Sequence, residues 1–178
     1  MGWGIGRRTG VVGSSSLSRG VHWRRGRVYA VILVTAAAVV ALDHLTKWLV
    51  TRSLPLDGEI WSGAFVSIHH VENRGAAFGV LPQFQWLYLV VATIVAIYIL
   101  VAGHRFGTTW YRQVVLGMVL GGAVSNGVDR LVQGYVVDFI DFHFWPVFNV
   151  ADSAIVIGII VAVLTFRAHA APPQRSVT

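Results

Sequence analysis

The stretch VYAVILVTAAAVVALDHLTKWLV, residues 28–50, decides what kind of protein this is. A bilayer core about 30 Å thick needs roughly 17–25 apolar residues in a helix, and this run supplies them. Asp43 and Lys47 lie four residues apart, on one face and toward its C-terminal end. A basic leader and the small triplet Ala36-Ala37-Ala38 could suggest a cleaved signal peptide. The apolar pattern instead continues to Val50, long for the apolar region of such a peptide, so it reads as a retained span.

Working outward, three more runs qualify: residues 84–102, 114–132 and 150–166. The last two carry charge, in each case near one end, and the fourth is short. The whole chain agrees. It has 178 residues, 55% of them hydrophobic and 12% charged, whereas soluble domains have about 45–50% apolar and about 25% charged residues. The sequence therefore predicts an all-α membrane protein with four transmembrane helices in a single unit, residues 28–166. Residues 1–27 are a leader and 167–178 a tail, and the longer connections are 51–83 and 133–149. The absence of cysteine excludes disulfides, a thiolate zinc site and a cysteine nucleophile.

The net charge of +6 could point to nucleic acid, but its distribution does not. Six arginines (Arg7, Arg8, Arg19, Arg24, Arg25 and Arg27) sit in a Gly/Ser-rich leader. A disordered basic segment beside a membrane span suits an anionic lipid surface. Arg105 and Arg112 follow the second run, and Arg167 and Arg175 follow the fourth. The other two loops hold only Arg52 and Arg74 against Asp57, Glu59, Glu72, Asp138 and Asp141. The excess of basic residues places both termini in the cytoplasm and loops 51–83 and 133–149 outside. The first outer loop is long enough to carry structure, and Phe65–Ile68 reads as a short strand. No internal repeat is evident.

The polar residues of the spans then fall at one depth. Asp43 and Lys47 read most simply as an ion pair that locks helix packing, since intramembrane charges usually pair. Span three carries Gly117 and Gly121, a GxxxG pattern that permits close helix approach. Asn126, Asp129 and Arg130 follow on roughly one face, and Arg130 needs a carboxylate or a lipid phosphate as partner. Asp138 is embedded in apolar neighbours. Asn149 and Asp152 read as an N-cap and a first-turn carboxylate. With spans one and three ending outside and span four beginning there, all eight residues converge, and intramembrane ionisable groups are functional candidates.

Two carboxylates in one confined site cannot both ionise easily. The charged one can activate water; the protonated one can polarise a carbonyl and later protonate the leaving amine. That is aspartic protease chemistry and requires no cofactor. Ser153 has no evident histidine or lysine partner. His69 and His70 are adjacent and point to opposite faces of a strand, and no HExxH is present, so no metal site is expected. These residues do not by themselves select which aspartates form the pair.

Five blocks resemble the lipoprotein signal peptidases, also called signal peptidase II. They are Asp43–Lys47 (DHLTK), Glu72–Gly79 (ENRGAAFG), Gly121–Arg130 (GGAVSNGVDR), Gly134–Phe139 (GYVVDF) and Phe148–Ser153 (FNVADS). The resemblance covers the chain from span one to span four. It implies a bacterial membrane endopeptidase that removes the signal peptide from diacylglyceryl-modified prolipoproteins, cutting just before the lipidated cysteine. It implies Asp138 and Asp152 as the catalytic pair. Asp43, Lys47, Asn73, Gly122, Asn126, Asp129, Arg130 and Asn149 become supporting or substrate-binding residues. It also implies a small extracytoplasmic β-cradle and a short helix in the first outer loop. The expected partners are the lipidated substrate and membrane lipid, with no nucleic acid, and the expected state is a monomer. His44 stands where glutamine is common and Ser125 where glycine is common. A small proton-coupled transporter and a non-catalytic membrane scaffold are the competing readings. Repeated or broken spans would favour the first.

Overall fold

In the computed structural model, which describes residues 14–60, 63–75, 85–106 and 109–167, helix α1 runs Ser14–Ser53. Residues 14–27 are helical and continuous with the apolar run. Once the apolar stretch has formed a helix, each added residue gains a hydrogen bond without a new nucleus, and arginine is a good helix former. No proline interrupts before Pro55, whose ring disfavours helix at the preceding residue and so ends α1. Residues 1–13, residues 76–79 of the second block and the tail beyond Arg167 lie outside the described residues.

Helix α2 spans Gln85–Phe106, α3 Trp110–Val132 and α4 Val150–Arg167. Among the described residues, three segments are long and apolar enough to cross a membrane: Gly26–Ser53, Trp86–Phe106 and Trp110–Val132. Helix α4 is apolar over the shorter stretch Val150–Thr165. Helix α3 is central and packs against α1, α2 and α4. Its glycines make that possible. A Cβ on Gly117 would lie 2.7 Å from the Ile32 carbonyl, and one on Gly121 would lie 2.7 Å from the Ala36 carbonyl. The GxxxG pattern is thus the α1–α3 contact. Ile32, Ala36, Ile99 and Leu120 fill the core between α1, α2 and α3.

The first connection and the α3–α4 connection build one antiparallel sheet. Strands β1 (Glu59–Ile60), β2 (Ser67–Asn73) and β3 (Val136–Asp141) lie in that order. The strand expected at residues 65–68 is realised only from Ser67 onward. The chain turns at residues 63–66, where the Gly63 N–H donates to the Val66 carbonyl at 2.9 Å. Gly134, at φ +80°, supplies the left-handed residue that turns the chain from α3 into β3. Val71 pairs with Asp138 and Asn73 with Val136, so one end of the β2–β3 ladder lies beside the end of α3. Val50, Leu54 and Phe139 form a second small core that fixes the sheet to α1. An isolated bridge between Ile140 and Phe148 then delivers the chain into α4.

Candidate active site

The site lies where α1 and α3 end and α4 begins, beneath β3. Its base is Lys47. The ammonium contacts Asp43 at 2.5 Å and Asp129 at 2.6 Å, and it donates to the Asn126 side-chain carbonyl at 3.0 Å. Those three contacts use all three of its protons. The Asp43–Lys47 ion pair expected from their spacing is present. His44 joins the edge of this cluster, its Nδ1 3.6 Å from Asp129. Asp43, His44 and Asp129 come close enough to one another to hold a cation. Lys47 already supplies that positive charge between the two carboxylates, so the cluster is an ion-pair core.

Asp43 also reaches α4. Its Oδ1 accepts the Ala151 backbone N–H at 2.9 Å, and its Oδ2 accepts the Ser125 hydroxyl at 2.7 Å. Helix N-termini leave their first N–H groups without partners inside the helix, and a fully buried carboxylate from α1 satisfies one of them here. Asp43 thus ties three helices together at one point. Ser125, which stands where glycine is common, thus has a hydroxyl role that its position in the sequence does not signal.

Three asparagines orient the two candidate catalytic carboxylates. In each, the side-chain carbonyl is taken by a donor, which turns the NH2 group toward an aspartate. Asn126 accepts from Lys47 and donates to Asp152 Oδ1 at 2.8 Å. Asn73 accepts from the Gly75 N–H at 2.9 Å and donates to Asp138 Oδ2 at 2.8 Å. Asn149 accepts from the Asp152 N–H at 2.9 Å and donates to Asp138 Oδ1 at 2.7 Å. The Asn149 N–H in turn donates to Asp152 Oδ2 at 3.2 Å. The reciprocal bonds between Asn149 and Asp152 form a capping box. The capping reading of this pair is therefore correct, and it coexists with the site because the second oxygen of Asp152 faces Asn126.

Asp138 is 2% exposed. Burial, and after it the nearby Asp152 charge, pushes its carboxyl up to about 7. The asparagine hydrogen bonds oppose that rise without cancelling it. A carboxyl poised near neutral pH can hold a proton for acid–base chemistry.

Asp129 and Arg130 diverge, although the helical spacing placed them with Asn126 on roughly one face. Asp129 faces Lys47. Arg130 donates to the Gly75 carbonyl at 3.2 Å and to the Asn126 carbonyl at 3.3 Å, and its guanidinium lies 5.1 Å from the Tyr88 ring centre. Its direct contacts are thus carbonyls and an aromatic face, with the Asp152 and Asp138 carboxylates acting on it through their charge. Tyr88 escaped the sequence reading because α2 looked uniformly apolar; its phenol near one end of the span was the available signal. A Cβ on Gly122 would meet the Ala151 carbonyl and lie 2.7 Å from Ile155 Cγ1. Its contribution is the close approach of α3 and α4 behind the carboxylates.

A cavity of about 650 Å³ opens beside the aspartates. Asn73, Asn126, Arg130, Asp138 and Asp152 line its polar end. The rest is apolar and runs between α2 and α4, past Val91, Val95, Val156 and Ile159. The arrangement combines a largely apolar cavity with two carboxylates at its polar end.

Residues 35–167 match the peptidase A8 family, described as signal peptidase (SPase) II. A lipoprotein signal peptidase of Halothermothrix orenii is 36% identical over 143 residues, covering 77% of this chain and 92% of that protein. Another, from Caldanaerobacter subterraneus, is 43% identical over 131 residues, covering 72% of this chain and 90% of that protein. A solved structure described as a bacterial membrane enzyme, obtained by the in meso method at 2.3 Å resolution, superposes with a TM-score of 0.72 at 26% identity. It covers 83% of this chain, and 94% of that chain is matched. The match begins in α1 and continues through α4, and with it the chain belongs to the signal peptidase II family of membrane peptidases.

Proposed function

We propose that this peptidase is an aspartic endopeptidase in which Asp138 and Asp152 act on the scissile bond of a diacylglyceryl-modified prolipoprotein, just before the lipidated cysteine. Family membership establishes a hydrolase and supports removal of prolipoprotein signal peptides. That sets aside the transporter and scaffold readings. The observation that carries the finer reading is the Asn149 bridge, which binds Asp138 through its side chain and Asp152 through its backbone and cap.

In this reading Asp138 holds the proton at neutral pH and Asp152 is charged. Asp152 takes a proton from water as the water oxygen bonds to the substrate carbonyl carbon. Asp138 gives its proton to the carbonyl oxygen, so the intermediate is a neutral gem-diol. On collapse a hydroxyl proton returns to Asp138, Asp152 protonates the amine, and the C–N bond breaks. Both carboxyls are restored, and no cofactor or metal takes part. Asn73, Asn126 and Asn149 hold the pair in place, while Asp43, Lys47 and Asp129 hold the asparagines and α4. Arg130 binds and positions the turn at Gly75 and faces the substrate. Gly122 keeps α3 and α4 close. The apolar cavity between α2 and α4 suits an acyl chain or the apolar part of a signal peptide. All four helices span the bilayer of a bacterial cell membrane, with both termini cytoplasmic and the site near the extracytoplasmic face, and the enzyme acts as a monomer. The loop counts of lysine and arginine support that orientation.

The test is direct. The protein in detergent is given a diacylglyceryl-modified prolipoprotein, and the product mass is read. The parent releases the signal peptide, while Asp138→Asn and Asp152→Asn do not. Cleavage at the parent rate by either variant refutes the pair. A parent that never cleaves lipidated substrate refutes the enzyme reading.

A further inference from the structure

The loop between β3 and α4 carries aromatic side chains that the catalytic reading does not use. Phe142 and Phe144 stack, with ring centres 6.0 Å apart and planes 12° from parallel. Phe142 also meets Phe148 edge-on at 5.3 Å, and Phe148 lines the cavity together with Trp145 and Pro146. The loop is therefore one lip of the cavity mouth, pinned at Phe142. On the neighbouring turn Phe65 projects outward. His143 joins the two segments, its Nε2 3.3 Å from the Gly63 carbonyl.

The outward side of this lip is apolar and open. Phe65 and Phe144 are each 80% exposed, and Trp145 is 56% exposed. Such a cluster facing water is unusual for a surface with no partner. Its position supplies the partner. The apolar stretch of α4 begins at Val150, directly after the lip. Exposed Trp48, with Arg52 5.3 Å from its ring, marks the corresponding end of the apolar segment of α1. Exposed Trp86 opens that of α2. Aromatic rings and a cation at the ends of apolar helices mark the bilayer interface. The lip thus runs directly into the apolar stretch of α4.

We propose that Phe65, Phe142, Phe144 and Trp145 form a lipid-binding lip that inserts into the boundary between headgroups and acyl chains of the extracytoplasmic leaflet. The inserted lip holds the cavity mouth at the depth of the acyl chains. The inference rests on the reading that the site lies at that face.

The chain has no cysteine, so a single nitroxide label can be placed at Phe144→Cys or Phe65→Cys without background. Both positions are exposed, so labelling leaves the core undisturbed. The labelled proteins are reconstituted in phosphatidylethanolamine/phosphatidylglycerol vesicles. Collision rates with oxygen and with a water-soluble nickel chelate are compared with those of depth-calibrated spin-labelled lipids. The expected labels lie about 5–10 Å inside the headgroup/acyl boundary. Labels with the collision rates of free water overturn the proposal. So does label–label broadening that grows with protein-to-lipid ratio, which would assign the surface to a second copy. The depth reading does not depend on turnover. A lip in water on a parent that cleaves lipidated substrate refutes the lip alone, and an inserted lip on a parent that never cleaves refutes the peptidase reading alone.

Discussion

Replacing Asn149 by serine separates two functions that one side chain performs. The Asn149 carbonyl caps α4 through the Asp152 N–H, and its NH2 group donates to Asp138 at 2.7 Å. Serine caps a helix about as well as asparagine but is too short to reach Asp138 as a donor. The lost bond favours the charged form of Asp138, so its removal raises that carboxyl further above about 7. A hydrogen bond to a charged group contributes about 1.5–3 kcal/mol. At about 1.36 kcal/mol per pH unit, the shift is roughly one to two units. Activity in the proposed mechanism needs Asp138 protonated, so the parent loses activity as pH rises through the apparent pKa of the pair. Asn149→Ser should move that alkaline limb upward by about one unit or more while keeping the helix cap, so near pH 4, where Asp138 is protonated folded or unfolded, it should lose less stability than a variant without a cap. Asn149→Ala should show the same limb shift and also lose about 1 kcal/mol of stability with the cap. The assay is the pH dependence of kcat/KM for a lipidated prolipoprotein in detergent, with unfolding followed in parallel. A serine variant whose profile superimposes on the parent's would refute the Asn149–Asp138 bond as the control on proton affinity.

Other outcomes follow from the same geometry. A carboxyl near 7 when folded and near 4 when unfolded holds a proton that unfolding releases, so stability falls as pH rises between those values. The loss is complete above pH 7, at roughly 4 kcal/mol. Asp138→Asn, inactive by the proposal, should therefore unfold later than the parent at pH 8 and match it near pH 4, as read by unfolding in detergent. Lys47→Met leaves Asp43 and Asp129 buried without their cation and should cost about 3–5 kcal/mol; unchanged denaturant midpoints would contradict the ion-pair core. Gly121→Val pushes a side chain against the Ala36 carbonyl and should destabilise by about 1–3 kcal/mol. Gly127→Ala, whose Cβ would have Ala92 as its nearest neighbour at 3.9 Å, should leave stability unchanged.

Much of this protein was legible in its residues. Apolar run length gives helices where they are found, because a helix in lipid must satisfy its backbone internally and cover itself with apolar side chains. The spacing of Asp43 and Lys47 gave an ion pair, because a helix places i and i+4 together whatever surrounds it. Gly117 and Gly121 announced a close helix contact for the same local reason. Asn149 and Asp152 announced a cap. The sequence could not say that α1 runs back to Ser14, since propagation through an arginine-rich segment is a balance between neighbouring tendencies. It misplaced the start of β2 by two residues, because the turn at residues 63–66 decides it.

The carboxylate pair belongs to the other category. Asp129, Asp138 and Asp152 are equivalent as a pattern of letters; their separation into roles comes from which partners surround each one. Lys47 pairs with Asp129, and burial beside Asp152 pushes the Asp138 carboxyl up to about 7. Those neighbours come from different helices and a strand distant in the chain. Hydrogen-bond direction is likewise a tertiary property: three asparagines turn their NH2 groups to the aspartates only because Lys47, Gly75 and the α4 backbone occupy their carbonyls. Local sequence determined the elements and their apolar faces through short-range geometry. Proton affinity and hydrogen-bond direction required the fold, because both depend on charges and donors brought together from across the chain.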